Sequence, residues 1–437
     1  MKTRTLGFLL TLSLSLLALC LLLAALGGLS PRSTTVLAQG PDGYAIYYVA
    51  PDCTGIDPPC YTVVQDAVDA VDDPGDVVQV AQGIYSGVHA REGITGVVHL
   101  TKTVTVRGGF SPDFAAWDPK AYPTVLDAQR EGHVFYVGGA GTSVIEGLQI
   151  ANGDAEVGGG HWGGGLLAIG GSGPSLTVTL SYNQVLSNHA PIGFGGGGGL
   201  AAMFSNVYLA DNRFEHNEAG GVGGAMRLEQ ANAHLRDNVI RHNQAGSSGG
   251  GIYLAYLTNV SMTNTVLADN GAGFAGGGMV AAGSYLHMRH TTVARNASGD
   301  GSGLYVTSGG IHGTIVSTVR MTDTLFADHT VGLTITAAPP FFTNTVVLDT
   351  TLWDGAGLLA GGDGDLTLIN THVGDPAFTT DGYHLTPASD AVDLGIDAGV
   401  RADLDGQPRP MRAGFDIGAD ELGFRAYLPL ILRTHTP

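Results

Sequence analysis

The feature that most constrains this chain is a repeat of about 26 residues. Five segments align: Asn183-Gln-Val-Leu-Ser-Asn188, Asn212-Arg-Phe-Glu-His-Asn217, Asn238-Val-Ile-Arg-His-Asn243, Thr265-Val-Leu-Ala-Asp-Asn270 and Thr291-Thr-Val-Ala-Arg-Asn296. Their last residues lie 29, 26, 27 and 26 positions apart. A glycine cluster follows each, at 195–199, 223–224, 249–251, 276–278 and 301–303, and weaker copies occupy 324–329 and 345–350. This repetition is why 68 of the 437 residues are Gly, about twice the usual ~7% share. No strict Gly-X-Y period is present, which excludes collagen, and 44% hydrophobic residues are ample for a core.

Within each unit the alternation has period two. Val207-Tyr-Leu-Ala-Asp211, Ala233-His-Leu-Arg-Asp237, Val260-Ser-Met-Thr-Asn264 and Leu286-His-Met-Arg-His290 place apolar side chains on one face only, the pattern of a half-buried strand. The unit is shorter than a ~40-residue propeller blade and lacks the leucine-rich-repeat signature. Three short strands joined by turns fit it, which is one coil of a parallel β-helix. The coil-end Asn residues are expected to stack along the axis, each amide bonding the next. Gly-Gly lets the chain turn through positive φ and lets adjacent coils approach closely. Residues 77–378 hold roughly a dozen coils, a rod about 55 Å long at ~4.8 Å per coil.

Ahead of the rod, residues 1–38 read as a signal peptide. Lys2 and Arg4 make a basic start, Leu6 opens an apolar run to Leu29, and Val36-Leu37-Ala38 supplies the cleavage site. Retention of this run as a membrane anchor is the alternative; no other segment is apolar enough to span. Its removal takes Lys2, Arg4 and Arg32 and no acid, lowering the formal net charge from −19 to −22. So acidic a chain is a poor ligand for nucleic acid. Two cysteines remain, Cys53 and Cys60, and export favours a disulfide between them. Residues 39–76 form an N-terminal cap. Thr62-Val-Val-Gln65 reads as a capping box, opening a helix with Val63, Val64, Ala67, Val68 and Val71 on one face and Gln65, Asp66, Asp69 and Asp72 on the other. Val77 begins the first strand.

The motif Pro74-Gly-Asp-Val-Val-Gln-Val-Ala-Gln-Gly-Ile-Tyr85 resembles the opening of bacterial right-handed parallel β-helix proteins of the pectate-lyase-like fold. Arg107-Gly-Gly-Phe110 with Tyr122-Pro-Thr-Val-Leu-Asp-Ala128 is similar to exported bacterial β-helix proteins. The repeats resemble the polymorphic outer-membrane-protein repeat. Asp375-Pro-Ala-Phe378, Tyr383-His-Leu385, Asp403-Leu-Asp-Gly406 and Asp416-Ile-Gly-Ala-Asp-Glu421 look like a choice-of-anchor Q domain. The resemblance implies an all-β, right-handed solenoid with a helical N-terminal cap, a C-terminal anchor-type cap region over 379–424 and a tail over 425–437. That tail includes Tyr427-Leu-Pro-Leu-Ile-Leu-Arg433, read as a last strand or a sorting tag; no LPxTG-like sortase motif is present.

Fold does not imply function, so catalysis would need residues of its own. Two-carboxylate hydrolysis needs acids converging on one face. The strands that follow Gly-Gly, from Leu166-Leu-Ala-Ile169 to Leu304-Tyr-Val-Thr307, show none in the compared columns, and the Gly-His-Gly and Arg-Ile-Lys motifs of polygalacturonases are missing. The other strands turn Thr179, Tyr208, His234, Ser261, His287 and Arg320 outward, with Ser181, Ala210, Arg236, Thr263, Arg289 and Thr322 beside them. His234, Arg236, His287 and Arg289 then make an outward basic patch, suited to carboxylates because guanidinium binds them bidentately. His216, His242, Asp269 and Arg295 form another column, whose ~4.8 Å spacing suits one metal ion poorly. Asp403 and Asp405 are a candidate Ca²⁺ pair; Asp363 and Asp365 miss the Ca²⁺ nonapeptide pattern at Leu366. The expectation is an extracellular or cell-surface, non-catalytic β-helix rod, adhesive, carbohydrate-binding or structural. It would be a monomer meeting an extracellular polysaccharide or cell-envelope glycan, without a required cofactor. The alternative is a polysaccharide lyase or hydrolase of acidic glycans.

Overall fold

The computed structural model describes residues 38–39, 43–171, 175–193, 195–310, 314–338 and 342–423. The expected signal peptide and the 425–437 tail therefore lie outside the described residues, save Ala38. The chain winds as a right-handed parallel β-helix. In a middle coil, Ser205–Ala210 is followed by Arg213–Glu215, then by Glu218–Ala219 and Met226–Glu229. This middle coil has four strand segments, because a tight corner splits its first strand; in the coil that opens with the unbroken Tyr285–Ala294 there are three, as expected. Successive coils align them into three parallel sheets. Val207, Ala233, Val260, Leu286, Val319 and Val346 stack in register inside, and Tyr208, His234, Ser261, His287 and Arg320 stack outside.

Two asparagine ladders hold the coils at the corners. Asn188, Asn217, Asn243, Asn270 and Asn296 are all buried. Asn243 Oδ1 accepts both the backbone and the side-chain N–H of Asn217 at 3.0 Å, and Asn243 repeats this toward Asn270 at 3.0 and 2.9 Å. His329 ends the ladder, its Nε2 accepting the Asn296 N–H at 3.2 Å; burial pushes this imidazole down to about 4, which keeps the acceptor neutral. The second ladder runs Asn183, Asn212, Asn238. The residue before each ladder position is left-handed: Asp211 at φ 58°, Asp237 at 55°, His216 at 57°, His242 at 56°. Such a backbone costs an ordinary residue roughly 1–2 kcal/mol, and the satisfied amide that follows offsets it.

The glycines divide the labour. Gly223, Gly249 and Gly276 carry positive φ of 67°, 69° and 62°. Their neighbours Gly224 and Gly250 do not, but a Cβ on Gly250 would overlap the carbonyl oxygens of Gly271 and Gly277 in the next coil.

The N-terminal cap holds a helix, Val64–Ala70 (α1), with Val64, Ala67 and Val68 buried over the first coils. The capping box is not formed. The N-cap residue is Val63, with no side-chain hydrogen bond, and Gln65 turns inward to accept the His99 N–H at 2.6 Å. A buried backbone donor competes better for that amide than an exposed helix end. Cys53 and Cys60 are bridged as a disulfide. The first parallel strand is Ala45–Val49, which pairs with Val77–Ala81, so the solenoid begins one rung before Val77. The last strand among the described residues is Asp365–Val373. No described helix is long and apolar enough to cross a membrane.

The expected C-terminal cap lies elsewhere. After Val373 the chain leaves the rod's end and runs back along its flank. Tyr383, Leu385, Ala391, Ile417 and Ala419 cover Val239, Val266, Ala294, Leu325 and Leu352 on five coils. Those side chains are apolar on the outer surface and need a cover, whereas the end strand keeps Leu368 and Val373 exposed. The flank docks on the left-handed corner column: Asn264 Nδ2 donates to Ala402 O at 2.8 Å, Ile396 N to Asp323 Oδ1 at 2.9 Å, and Gly418 N to Asp323 O at 3.0 Å. Its own interior holds the fully buried Arg409–Glu421 pair at 2.8 Å.

Beneath the flank, His290 Nε2 faces Asp323 Oδ2 at 3.4 Å, both side chains wholly buried. Burial pushes the carboxyl up to about 7 and, with Arg409, the imidazole down to about 3, so below about pH 7 both groups are neutral.

Gly250→Val should destabilise the rod by about 3 kcal/mol, the upper range for overpacking, and Ser248→Val by far less; equal losses of melting temperature would contradict the close coil approach. The raised Asp323 pKa makes its contribution complete below pH ~4 and lost as pH rises through 7. Asp323→Asn, which keeps the acceptor for Ile396, should therefore gain on the wild type in thermal stability between pH 5 and pH 8. A difference in melting temperature that does not change with pH would refute this assignment.

Candidate functional site

Where the flank meets the rod it leaves an open groove of about 670 Å³. One wall is the loop after Phe110. Trp117 is fixed there by its Nε1–H donating to Gly108 O at 2.8 Å. Its ring meets Tyr182 edge-on at 5.9 Å and lies under the Arg107 guanidinium. The far wall is Tyr383 and the turn containing Asp403 and Asp405. The floor is the corner column, Tyr182, Asp211 and Asp237 on successive coils, with Arg213 and Arg236 beside them.

The expected basic patch splits in two. Its residues do stack in register, but only His234 and Arg236 remain exposed. Arg236 pairs with Asp237 and approaches Asp211 at 3.7 Å. His234 stacks on Tyr208 with ring centres 5.2 Å apart. Arg289 is half-buried and reaches Ala398 O and Thr263 Oγ1, each at 3.4 Å, a strut between rod and flank. His287 is half-buried, and burial followed by Arg289 lowers its pKa. A reading of one strand alone could not show that a segment over 100 residues downstream covers half of its outward face.

The second polar column is likewise occupied internally. His216 and His242 stack at 5.3 Å. Arg295 holds Asp269 bidentately at 2.8 and 2.9 Å and donates to Gly382 O at 2.8 Å. Asp403 is buried and its carboxylate accepts the N–H groups of Asp405, Gln407 and Glu421. It holds a turn and is not a partner of Asp405 for Ca²⁺. Asp405 instead meets His384 Nε2 at 2.7 Å. Among the strands after Gly-Gly, Met226–Glu229 ends in an acid beyond the compared columns, Glu229, which pairs with Arg227 at 2.7 Å.

The sequence reading missed the groove carboxylates Asp211 and Asp237. The signal was present, since Tyr182, Asp211 and Asp237 each precede a ladder Asn, but only the outward strand columns and the second corner were compared. Burial raises both carboxyls, Asp237 to about 6. Chemically this resembles an acid beside a base. Both oxygens of Asp237 are engaged, however: Oδ1 accepts Asn264 Nδ2 at 2.8 Å and Oδ2 accepts Arg236. A carboxyl so tied is poorly placed to protonate a leaving group.

The family described as the right handed beta helix region matches residues 128–316 and 223–373, together more than half of the chain. No curated protein matches. A solved structure described as pectate lyase Pel9A aligns at 12% identity with a TM-score of 0.43, covering 89% of this chain and 98% of that chain. At that identity and score the likeness bears on neither substrate nor chemistry. Repeat, sheets and family match agree: the chain belongs to the right-handed β-helix family.

Proposed function

We propose that this protein is an exported, surface-displayed β-helix that binds glycans in the flank groove without cleaving them. The observation that carries this is the pair of aromatic rings, Trp117 and Tyr182, 40% and 49% exposed, standing beside a floor of hydrogen-bonding charged groups. A pyranose presents an apolar C–H face to such rings and hydroxyls to the floor. Aromatic anchors with few polar partners are the usual makeup of a small-ligand site. The apolar leader, the Cys53–Cys60 bridge and the resemblance of the C-terminal motifs to a choice-of-anchor Q domain support export and display. Arg213 and Arg236 already face Glu215, Asp211 and Asp237. The groove therefore favours neutral or mixed-charge sugars over the uronic polymers that a free basic patch would attract.

A glycan array followed by calorimetry on the best oligosaccharide tests this reading. Trp117→Ala and Tyr182→Ala should each weaken binding about tenfold or more, a cost of ~1.4 kcal/mol or above. Tyr285→Ala, exposed outside the groove, should leave it unchanged. The absence of any glycan binding would sink the proposal and leave a structural rod. Sugar release that Asp237→Asn abolishes would replace it with hydrolysis or lyase chemistry.

A further inference from the structure

We infer that the flank carries a divalent transition-metal site formed by His384, Asp405 and Asp420. One ligand atom from each lies within 4.8 Å of the others, although the three come from separate turns. The imidazole is already oriented. Its Nδ1 meets Asp381, whose Oδ1 is itself fixed by Thr379 Oγ1 at 2.8 Å and by the N–H groups of Tyr383 and His384 at 3.1 Å. A carboxylate on the far nitrogen of a metal-binding histidine sets its tautomer and ring plane, and here it aims Nε2 at Asp405. Asp405 is held in turn by its N–H on Asp403 Oδ1 at 3.0 Å.

Asp420 supplies the independent observation. It is only 4% exposed. Its Oδ2 accepts the Leu385 N–H at 2.7 Å, and its other oxygen accepts no hydrogen bond among the described residues. That second oxygen is not an enclosed orphan, so it stays open to a cation. The nearby Arg409 is committed to Glu421. Asp381, Asp405 and Asp420 thus surround one imidazole, and a divalent cation answers that surplus of negative charge.

Donor chemistry selects the ion. Imidazole nitrogen with two carboxylates suits Zn²⁺ and its first-row neighbours. Ca²⁺ requires six to eight oxygens, and Asp403 is turned away into its own turn. A tetrahedral ion with bonds of ~2.0–2.1 Å holds its donors about 3.3 Å apart. His384 Nε2 and Asp405 Oδ2, 2.7 Å apart when hydrogen-bonded, would separate slightly around it. A cavity of about 440 Å³ borders all three residues and leaves room for entry and for water in the fourth position. Asp405 also lines the glycan groove, so the ion would sit at its rim.

The test uses untagged, chelator-treated full-length protein. Zn²⁺ calorimetry should give one site per chain, and Co²⁺ loading should give the visible absorption of a low-coordinate N/O site. Asp405→Asn, at an exposed position, and His384→Gln should each lower Zn²⁺ affinity at least tenfold. Asp381→Asn should lower it and alter the Co²⁺ spectrum, the signature of a positioning residue. Ca²⁺ at equal concentration should not compete. Zn²⁺ should also raise the melting temperature of the unmutated chain in a saturable way, which keeps the test independent of folding in the variants. Failure to bind one equivalent, or binding that persists in His384→Gln, for instance at the His216–His242 stack, would overturn the site.

Discussion

The structure depends on coils that stack flat and in register, and the asparagine ladders are what enforce this. Each ladder amide is buried, so each must meet a donor and an acceptor, and only an identical residue one coil away supplies both. Once Asn243 bonds Asn217 below and Asn270 above, every coil must turn at the same place. The corner residue before each Asn must then adopt a left-handed backbone, and the second glycine must let the next backbone pass close by. Repeat length, glycine content and corner conformation are three consequences of one requirement.

A stacked rod alone has no groove, because its sides are uniform. The flank breaks that uniformity. It follows the corner column, where side chains offer polar handles at a fixed interval. Over the upper coils Asn264, His290 and Asp323 become buried contacts to the flank. Over the lower coils the same column stays open as Tyr182 and Asp211. The transition between covered and uncovered corners creates the groove, with the Trp117 loop closing its other side.

The flank has almost no regular secondary structure and contributes a modest apolar face. It therefore relies on buried polar groups. Arg409 and Glu421 are both fully buried, and such a pair adds little net stability but makes any other arrangement costly, since either partner alone would be an uncompensated charge. The Asp416 and Glu421 carboxylates accept the N–H groups of Leu422, Asp393 and Met411, doing within the flank what strands do elsewhere. This explains why an irregular segment can define a site at all.

The solenoid was legible from the sequence because its determinants are local and periodic. The alternation of Val207, Leu209, Ala233 and Leu235, the spacing of Asn188 to Asn296 and the paired glycines each state one residue's role by comparison with the next coil. Even the outward columns containing His234, Arg236, His287 and Arg289 were placed in register correctly. What those columns face was not legible, because coverage is a contact between residues far apart in sequence: Arg289 meets Ala398, and Asp237 shares its groove with Asp405. The capping box failed for the same reason, since His99 lies 34 positions from Gln65 and outcompetes the helix end. Sequence alone determined that the chain coils, where it turns and which side chains point inward. Tertiary structure decided which outward side chains remain in water, because that depends on a non-repeating segment whose path is set by buried apolar and polar contacts with no period to read.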